Sequence, residues 1–185
     1  MTKKKTKKTS LVLKAPLTEK DIKSLNIGDR VLISGTIYAA RDSAHKLFGK
    51  NPPFEIKGSI LFYASPTPAK KGQVIGSIGP TTASRMDPYT VDLLKKGLKI
   101  TIGKGLRSQV VKDAMKKYQA IYLVVPGGIS AGIAKHILKS TIIAYPELGP
   151  EAVLELEATN LPAIVAIDCK GKDLFEVGKK KYQTK

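Results

Sequence analysis

The sequence predicts an α/β domain with mixed sheets, and three observations carry that reading. Short apolar runs recur along the chain, and several lead through a polar loop into a segment with helical spacing, the pattern of βα units. Toward the C-terminus, residues 153–157 alternate apolar and polar, and Lys170-Gly171-Lys172 sits between two apolar runs as a tight turn would. The 185 residues are 42% hydrophobic, enough for one substantial core, and show no internal repeat.

The elements follow in order. Thr18-Glu19-Lys20-Asp21 has the form of a capped helix start and predicts a helix to about Leu25, closed by the turn Asn26-Ile27-Gly28-Asp29. Residues 30–38 read as a strand and 42–48 as a short helix, before Asn51-Pro52-Pro53 breaks the chain. Residues 58–64 read as a strand, 65–72 as a turn rich in proline and lysine, and 74–78 as a buried strand. Asp87-Pro88 starts a helix that ends near Gly97, because Asp can cap free N–H groups and Pro suits the first turn. Residues 98–102 form the next apolar run, and Val110, Val111, Ala114 and Met115 give residues 108–118 helical spacing. Residues 120–125 read as a strand stopped by Pro126-Gly127-Gly128, and 130–138 as a helix containing His136 in a structural role. Residues 141–145, 153–157, 163–167 and 174–177 read as strands, the last two as a hairpin.

The net charge is +17, but it is unevenly placed. Residues 1–10 carry five lysines and no acid; residues 170–185 carry six lysines against Asp173 and Glu176, leaving +8 on the body. Residues 1–10 and 179–185 are expected to be basic tails around a single domain spanning 11–178, since such composition cannot build a core. So basic a chain raises nucleic acid as a partner, the alternative from another functional class. Aromatic residues are only 6% of the chain, none lies in the first ten residues, and no helix-turn-helix or zinc pattern is present, which argues against it. No apolar run nears the ~20 residues of a membrane span. A lone cysteine, Cys169, excludes an intrachain disulfide. Both features lead to the expectation of a cytoplasmic protein with no membrane partner. Cys169 follows a strand pattern and reads as a buried thiol.

Three loops carry the chemistry. Gly79-Pro80-Thr81-Thr82-Ala83-Ser84-Arg85-Met86-Asp87-Pro88-Tyr89 sets two hydroxyls and a guanidinium between a strand and a helix, where Arg can grip a carboxylate with two parallel bonds. Upstream, Ser34-Gly35-Thr36-Ile37-Tyr38-Ala39-Ala40-Arg41-Asp42-Ser43-Ala44-His45 is again a strand running into a polar turn and a helix. Downstream, Ile102-Gly103-Lys104-Gly105 places a lysine between glycines after an apolar run. On residue type alone each has a plain alternative. The first is a polar connection with a surface Arg85, Arg41 is a partner for Asp42, and Lys104 is a surface ammonium.

Together these segments resemble the β subunit of two-subunit class I fumarases and tartrate dehydratases, the iron–sulfur hydro-lyases, which matches the C-terminal domain of their single-chain forms. The resemblance runs from about Pro16 to Phe175. It implies a swivelling-type domain of layered β/β/α architecture and a hetero-oligomer with an α subunit. It further implies reversible hydration of a small dicarboxylate, fumarate/(S)-malate first, with tartrate or mesaconate as alternatives. A [4Fe–4S] cluster needs three or four thiolates. One cysteine cannot supply them, so the cluster is expected on the partner and no metal ligand on this chain. By the same resemblance Thr81, four residues before Arg85, is the proton-abstracting base, and Arg41, Arg85 and Lys104 bind the carboxylates. A hydroxyl is a weak base unless nearby positive charge stabilises its alkoxide, which Arg85 and Lys104 could do. Asp42, His45 and Thr82 are expected in supporting positions.

Overall fold

The computed structural model describes residues 10–183. The lysine-rich residues 1–9 and the final two residues lie outside that range. The fold is mixed α/β, built on a closed five-stranded barrel. Its strands are β2 (Arg30–Ala39), β3 (Ile60–Phe62), β6 (Ile100–Gly103), β7 (Ile121–Val124) and β9 (Val153–Ile167). The first four run parallel, and β9 closes the ring by pairing antiparallel with both β7 and β2. Two strands extend the sheet beyond the ring: β1 (Leu11–Lys14) parallel to β2, and β8 (Ile137–Ala144) antiparallel to β9. A separate ribbon pairs β4 (Ala64–Pro66) with β5 (Ile78–Pro80).

Strand alternation divides the apolar residues into two cores. Ile60, Phe62, Ile100, Ile102, Ile121 and Leu123 point into the barrel with Ile33, Ile37, Leu156 and Val165. The residues between them point outward and are covered by α3 (Asp87–Lys95) and α4 (Gln109–Tyr118). There Leu61, Tyr63 and Tyr122 meet Leu93, Leu94, Val111 and Met115. The smaller helices are α1 (Glu19–Ser24), α2 (Asp42–Phe48), α5 (Ser130–Ala134) and α6 (Leu174–Tyr182). No described helix is long and apolar enough to cross a membrane.

Several elements match the sequence pattern. Thr18 and Asp21 form a reciprocal capping box at α1, α2 spans the expected residues, and Ser108 caps α4 through the Val111 N–H. Others depart from it. Residues 74–78 are not a strand: Val74 is exposed, and pairing begins only at Ile78, where β5 finds β4. The expected strand over 58–64 is two, β3 and β4. Strand β1 went unpredicted, because with Leu11 and Val12 exposed it has no alternating pattern.

The helix expected over 130–138 ends at Ala134, since the β-branched Thr141-Ile142-Ile143 region is drawn into β8 and pairs along β9. His136 therefore sits in the link between them, where its Nδ1 meets the Thr159 carbonyl at 2.9 Å. Residues 153–157 and 163–167 belong to one strand. Between them Asn160 takes a left-handed φ of 49°, and Pro162, which lacks an N–H, falls in the gap between the β8 and β7 pairings. Residues 174–177 do not return as a hairpin strand. Asp173 caps the Phe175 N–H at 2.8 Å, and α6 carries on through Lys179–Lys181, which composition had placed in a tail.

Candidate active site

Because β2, β3 and β6 are parallel, the loops that follow them emerge at one end of the barrel, where α/β folds place ligands. Arg41 leaves β2 there and stands at the N-terminus of α2. Lys104 leaves β6 there, and the ribbon beyond β3 delivers Thr81 and Thr82 beside it. The Thr81 N–H donates to the Tyr63 carbonyl at 2.6 Å, the Lys104 N–H to the Thr81 carbonyl at 3.1 Å, and the Ala83 N–H to the Lys104 carbonyl at 2.9 Å. Thr82 and Lys104 thus pair as a parallel bridge, extending the sheet by one rung. Gly103 permits this approach, because a Cβ there would lie 3.0 Å from the Ala83 Cβ and 3.3 Å from the Thr81 carbonyl oxygen. Thr81 is buried, whereas Thr82 and Lys104 are exposed.

A short 3-10 turn, Ala83–Met86, then carries Arg85 back toward α2. Arg85 Nη2 forms an ion pair with Asp42 Oδ2 at 2.8 Å, and Arg41 Nε donates to the same oxygen at 3.1 Å. Glu151 completes the cluster from a loop between β8 and β9. Its Oε2 accepts the Ser43 N–H at 2.9 Å, and its Oε1 stands 3.6 Å from Arg41 Nε. Partial burial pushes the Asp42 carboxyl pKa up, but its own backbone N–H, Arg41 and Arg85 more than reverse that, leaving it below the ordinary value. The bond from Ser43, and then Arg41, likewise hold Glu151 low against its partial burial. Arg41 and Arg85 therefore sit side by side on one ionised carboxylate.

His45 lies beneath this cluster, fully buried among the rings of Phe48, Tyr63 and Tyr89. Burial pushes its pKa down to about 4, against the opposing pull of its bond to the Arg41 carbonyl and of Asp42. The neutral ring donates from Nδ1 to that carbonyl at 2.9 Å, and Nε2 stays buried without a partner. His45 thus holds the backbone of Arg41 and does not reach the mouth of the loops.

Asp87 departs from its expected role. It is the first residue of α3 rather than its cap; Met86 stands at the cap with no side-chain bond. The Asp87 carboxylate instead takes the Arg107 Nε–H at 2.7 Å and the Ser108 N–H at 2.7 Å. Sequence reasoning missed Glu151, Arg107 and Ser65, whose Oγ accepts from Arg41 Nη1 at 3.4 Å. No local signal marked them: Glu151 is 108 positions from Ser43 and Arg107 is 20 from Asp87.

These residues do not fit an iron–sulfur cluster. Cys169, the only cysteine in the sequence, is buried at the far end of the barrel, beside the start of β7, where its carbonyl accepts from Gln119. Among the described residues no group of three or more His, Cys, Asp or Glu side chains is placed to hold a metal ion.

A family profile described as fumarase C-terminus matches residues 1–178. The chain belongs to the fumarase C-terminus family. A relative named "Fumarate hydratase 2" from Leishmania major is 41% identical over a 174-residue alignment that covers 88% of this chain and 30% of that protein. "Fumarate hydratase class I, anaerobic" from Escherichia coli K12 is 42% identical over a 159-residue alignment that covers 81% of this chain and 29% of the relative. The chain thus spans less than a third of those fumarate hydratases. A third relative, named "Putative L(+)-tartrate dehydratase subunit beta", from Methanocaldococcus jannaschii, is 38% identical over 180 residues. There the match covers 90% of this chain and 92% of the relative.

Proposed function

We propose that this fumarase C-terminus chain is the β subunit of a two-subunit hydro-lyase that adds water to, and removes it from, a small dicarboxylate, fumarate/(S)-malate first. The observation that carries the reading is the gathering of Thr81, Arg85, Lys104 and Arg41 at one end of the barrel, on loops from three separate segments of the sequence. The near-complete match to a protein named as a beta subunit supports a two-chain enzyme, and the fumarate hydratase relatives support the reaction.

In this reading Arg41 and Arg85 receive one carboxylate of the substrate beside Asp42, and Lys104 faces the second. Thr81, buried beside Lys104 and close to Arg85 in sequence, takes the proton from the carbon next to a carboxylate. The neighbouring cations hold the enolate-like charge that builds as it leaves. Thr82, Asp42 and His45 orient these groups. In this reading an iron–sulfur cluster, with the Lewis-acid chemistry it would supply, is carried by the α subunit; that this chain has a single cysteine, where such a cluster takes three or four thiolates, supports the assignment.

The α subunit would cover the mouth of the loops, where Leu106 and Val110 are exposed beside Ser84 and Pro88 in a shallow groove. We read the barrel with helices on one flank as the swivelling-type β/β/α arrangement and the setting as cytoplasmic. The match to the tartrate dehydratase relative gives L(+)-tartrate as the second candidate substrate. The test is co-production with a cysteine-rich partner, anaerobic purification, and turnover assays on fumarate, (S)-malate, mesaconate and L(+)-tartrate. Turnover of one of these by the assembled pair, and by neither chain alone, is expected. Full activity of this chain by itself would overturn the reading.

A further inference from the structure

The charged side chain of Arg107 has no exposure at all, yet its hydrogen bonds reach three ways. Nε donates to Asp87 Oδ1 at 2.7 Å, Nη2 to Thr90 Oγ1 at 2.8 Å, and Nη1 to Thr101 Oγ1 at 3.1 Å. The first two acceptors stand in the first turn of α3, which begins two residues after Arg85. The third is on the outward face of β6, three residues before Lys104. The guanidinium lies between two rings, 5.3 Å from the centroid of Tyr63 and 5.1 Å from that of Tyr122.

Each ring touches the same loops. Tyr63 is the residue whose carbonyl accepts the Thr81 N–H, and its hydroxyl meets Thr90 Oγ1 at 3.0 Å. The Tyr122 hydroxyl donates to the Gly105 carbonyl at 3.0 Å, one residue past Lys104. Asp87 also accepts the Ser108 N–H, fastening the far side of the Lys104 loop to α3. Burial opposes the charge on Arg107, but Tyr63 and Asp87 more than offset it.

We propose that Arg107 is a positioning residue that cross-links the supports of Thr81, Arg85 and Lys104, so that these three groups keep their mutual geometry without Arg107 touching substrate. A planar fork suits this task as an ammonium does not, because it binds α3 and β6 in fixed directions while its faces rest on aromatic rings. The inference rests on the functional reading above. It also makes a prediction of its own: Arg41 is held by Asp42, Glu151 and Ser65 and meets this network only at one remove, through the Asp42 carboxylate it shares with Arg85, so it should depend on Arg107 far less than Lys104 does.

The test uses the full chain assembled with its partner and two variants, Arg107→Lys and the milder Tyr122→Phe, which removes only the hydroxyl that holds Gly105. In the otherwise unchanged enzyme Arg107→Lys is expected to lower kcat/KM by about tenfold or more, because misplacements of about an ångström carry such costs. In a Lys104→Met background that cost should shrink to less than about threefold, and in an Arg41→Met background it should persist, the coupling pattern of a shared network. Tyr122→Phe should show the same pattern at smaller amplitude. Equal costs in both backgrounds would mean general destabilisation and would overturn the proposal.

Amide hydrogen exchange provides a readout independent of activity. In both variants the Lys104 and Ala83 amides should exchange faster by about tenfold, while Gly28 and Val165, bonded across the other end of the barrel, should be unchanged. A uniform acceleration would overturn the proposal even if activity fell. If the assembled wild-type pair turns over none of the dicarboxylates, the functional reading falls, and the exchange pattern alone decides the role of Arg107.

Discussion

Two arginines of this chain each pair with an aspartate at the same end of the barrel, and they are built for different tasks. Arg85 meets Asp42 at 2.8 Å with half its side chain exposed; Arg107 meets Asp87 at 2.7 Å with none. The distances are nearly equal, so the surroundings make the difference. At the mouth, water screens the pair and competes for it, and such pairs stabilise a fold by only about 0–1 kcal/mol. Within the frame the guanidinium is closed to water, and breaking a buried pair costs about 3–5 kcal/mol. A guanidinium that must receive a substrate carboxylate has to be releasable. One that must hold two loops in register has to be permanent.

The sharpest way to separate mouth from frame is a substitution that silences chemistry and leaves the fold alone. Thr81→Val is nearly isosteric and leaves intact the two backbone bonds through which residue 81 joins Tyr63 and Lys104. If Thr81 takes the proton, kcat of the assembled enzyme should fall by about 10²–10⁴, the range for a positioned general base, with far smaller changes in KM and Tm. Thr82→Val, one residue along on the exposed side of the loop, should cost much less. Near-normal turnover of assembled Thr81→Val would move the base to another group.

The paired arginines supply the converse. Arg107→Met should lower the unfolding free energy by about 3–5 kcal/mol in denaturant titrations, since it removes the buried cation of the pair and leaves the Asp87 carboxylate with the Ser108 N–H alone. Arg85→Met should cost at most about 1 kcal/mol by the same measurement while lowering kcat/KM severely. Equal stabilities for the two variants would erase the distinction between mouth and frame.

The sequence made the mouth legible and left the frame hidden, and the reason is physical. Thr81, Arg85 and Lys104 lie on short loops after apolar runs, where local composition reports the turn; residue type alone left each a plain alternative, and the roles proposed for them come from the family resemblance. Arg107 and Glu151 act across long separations and look like ordinary surface charges in their own neighbourhoods. The same division holds for the fold. Thr18 and Asp21 spell out α1 within four residues, and 42–48 spell out α2. By contrast β1 exists only because β2 offers it an edge, and the continuity of β9 through Asn160 and Pro162 depends on where β7 and β8 stop. Residues 174–177 could have been strand or helix by pattern. The Asp173 cap and the Lys112 side chain, which bridges Asp173 and Glu176, favour the helix, and both are tertiary facts.

His45 tests whether the floor beneath the mouth belongs with the frame. Its folded pKa of about 4 lies below the ordinary value of 6.5, so between those values the unfolded chain binds a proton that the folded chain refuses. Stability is therefore lost as pH falls from 6.5 toward 4, with a slope near 1.4 kcal/mol per pH unit and a total of about 3 kcal/mol. The low-lying carboxyls of Asp42 and Glu151 act in the same direction but lower on the pH scale. His45→Asn retains a donor for the Arg41 carbonyl and removes the titration. Its stability, lower throughout because of the cavity, should be about 3 kcal/mol less sensitive to pH across that window. Parallel profiles for the two proteins would show that His45 does not refuse its proton.

The smallest effect separates charge from hydrogen bonding at the edge of the mouth. Glu151 does two things: one oxygen accepts the Ser43 N–H at the start of α2, and the other stands 3.6 Å from Arg41 Nε. Glu151→Gln keeps an acceptor for Ser43 and removes the negative charge. Glu151→Ala removes both. Because Arg41 retains Asp42 at 3.1 Å and the cluster is partly open to water, loss of the charge alone should cost no more than about 0.5 kcal/mol in stability. Loss of the acceptor leaves a helix N-terminal N–H unpaired, and Ala should cost about 1 kcal/mol more than Gln. The kinetic order should differ. With its second carboxylate neutralised, Arg41 in Glu151→Gln meets less competition for a substrate carboxylate but loses a guide to its direction. KM should therefore shift by no more than about threefold, with kcat nearly unchanged. A large fall in kcat for Gln, with stability intact, would promote Glu151 from the rim of the site to its working parts.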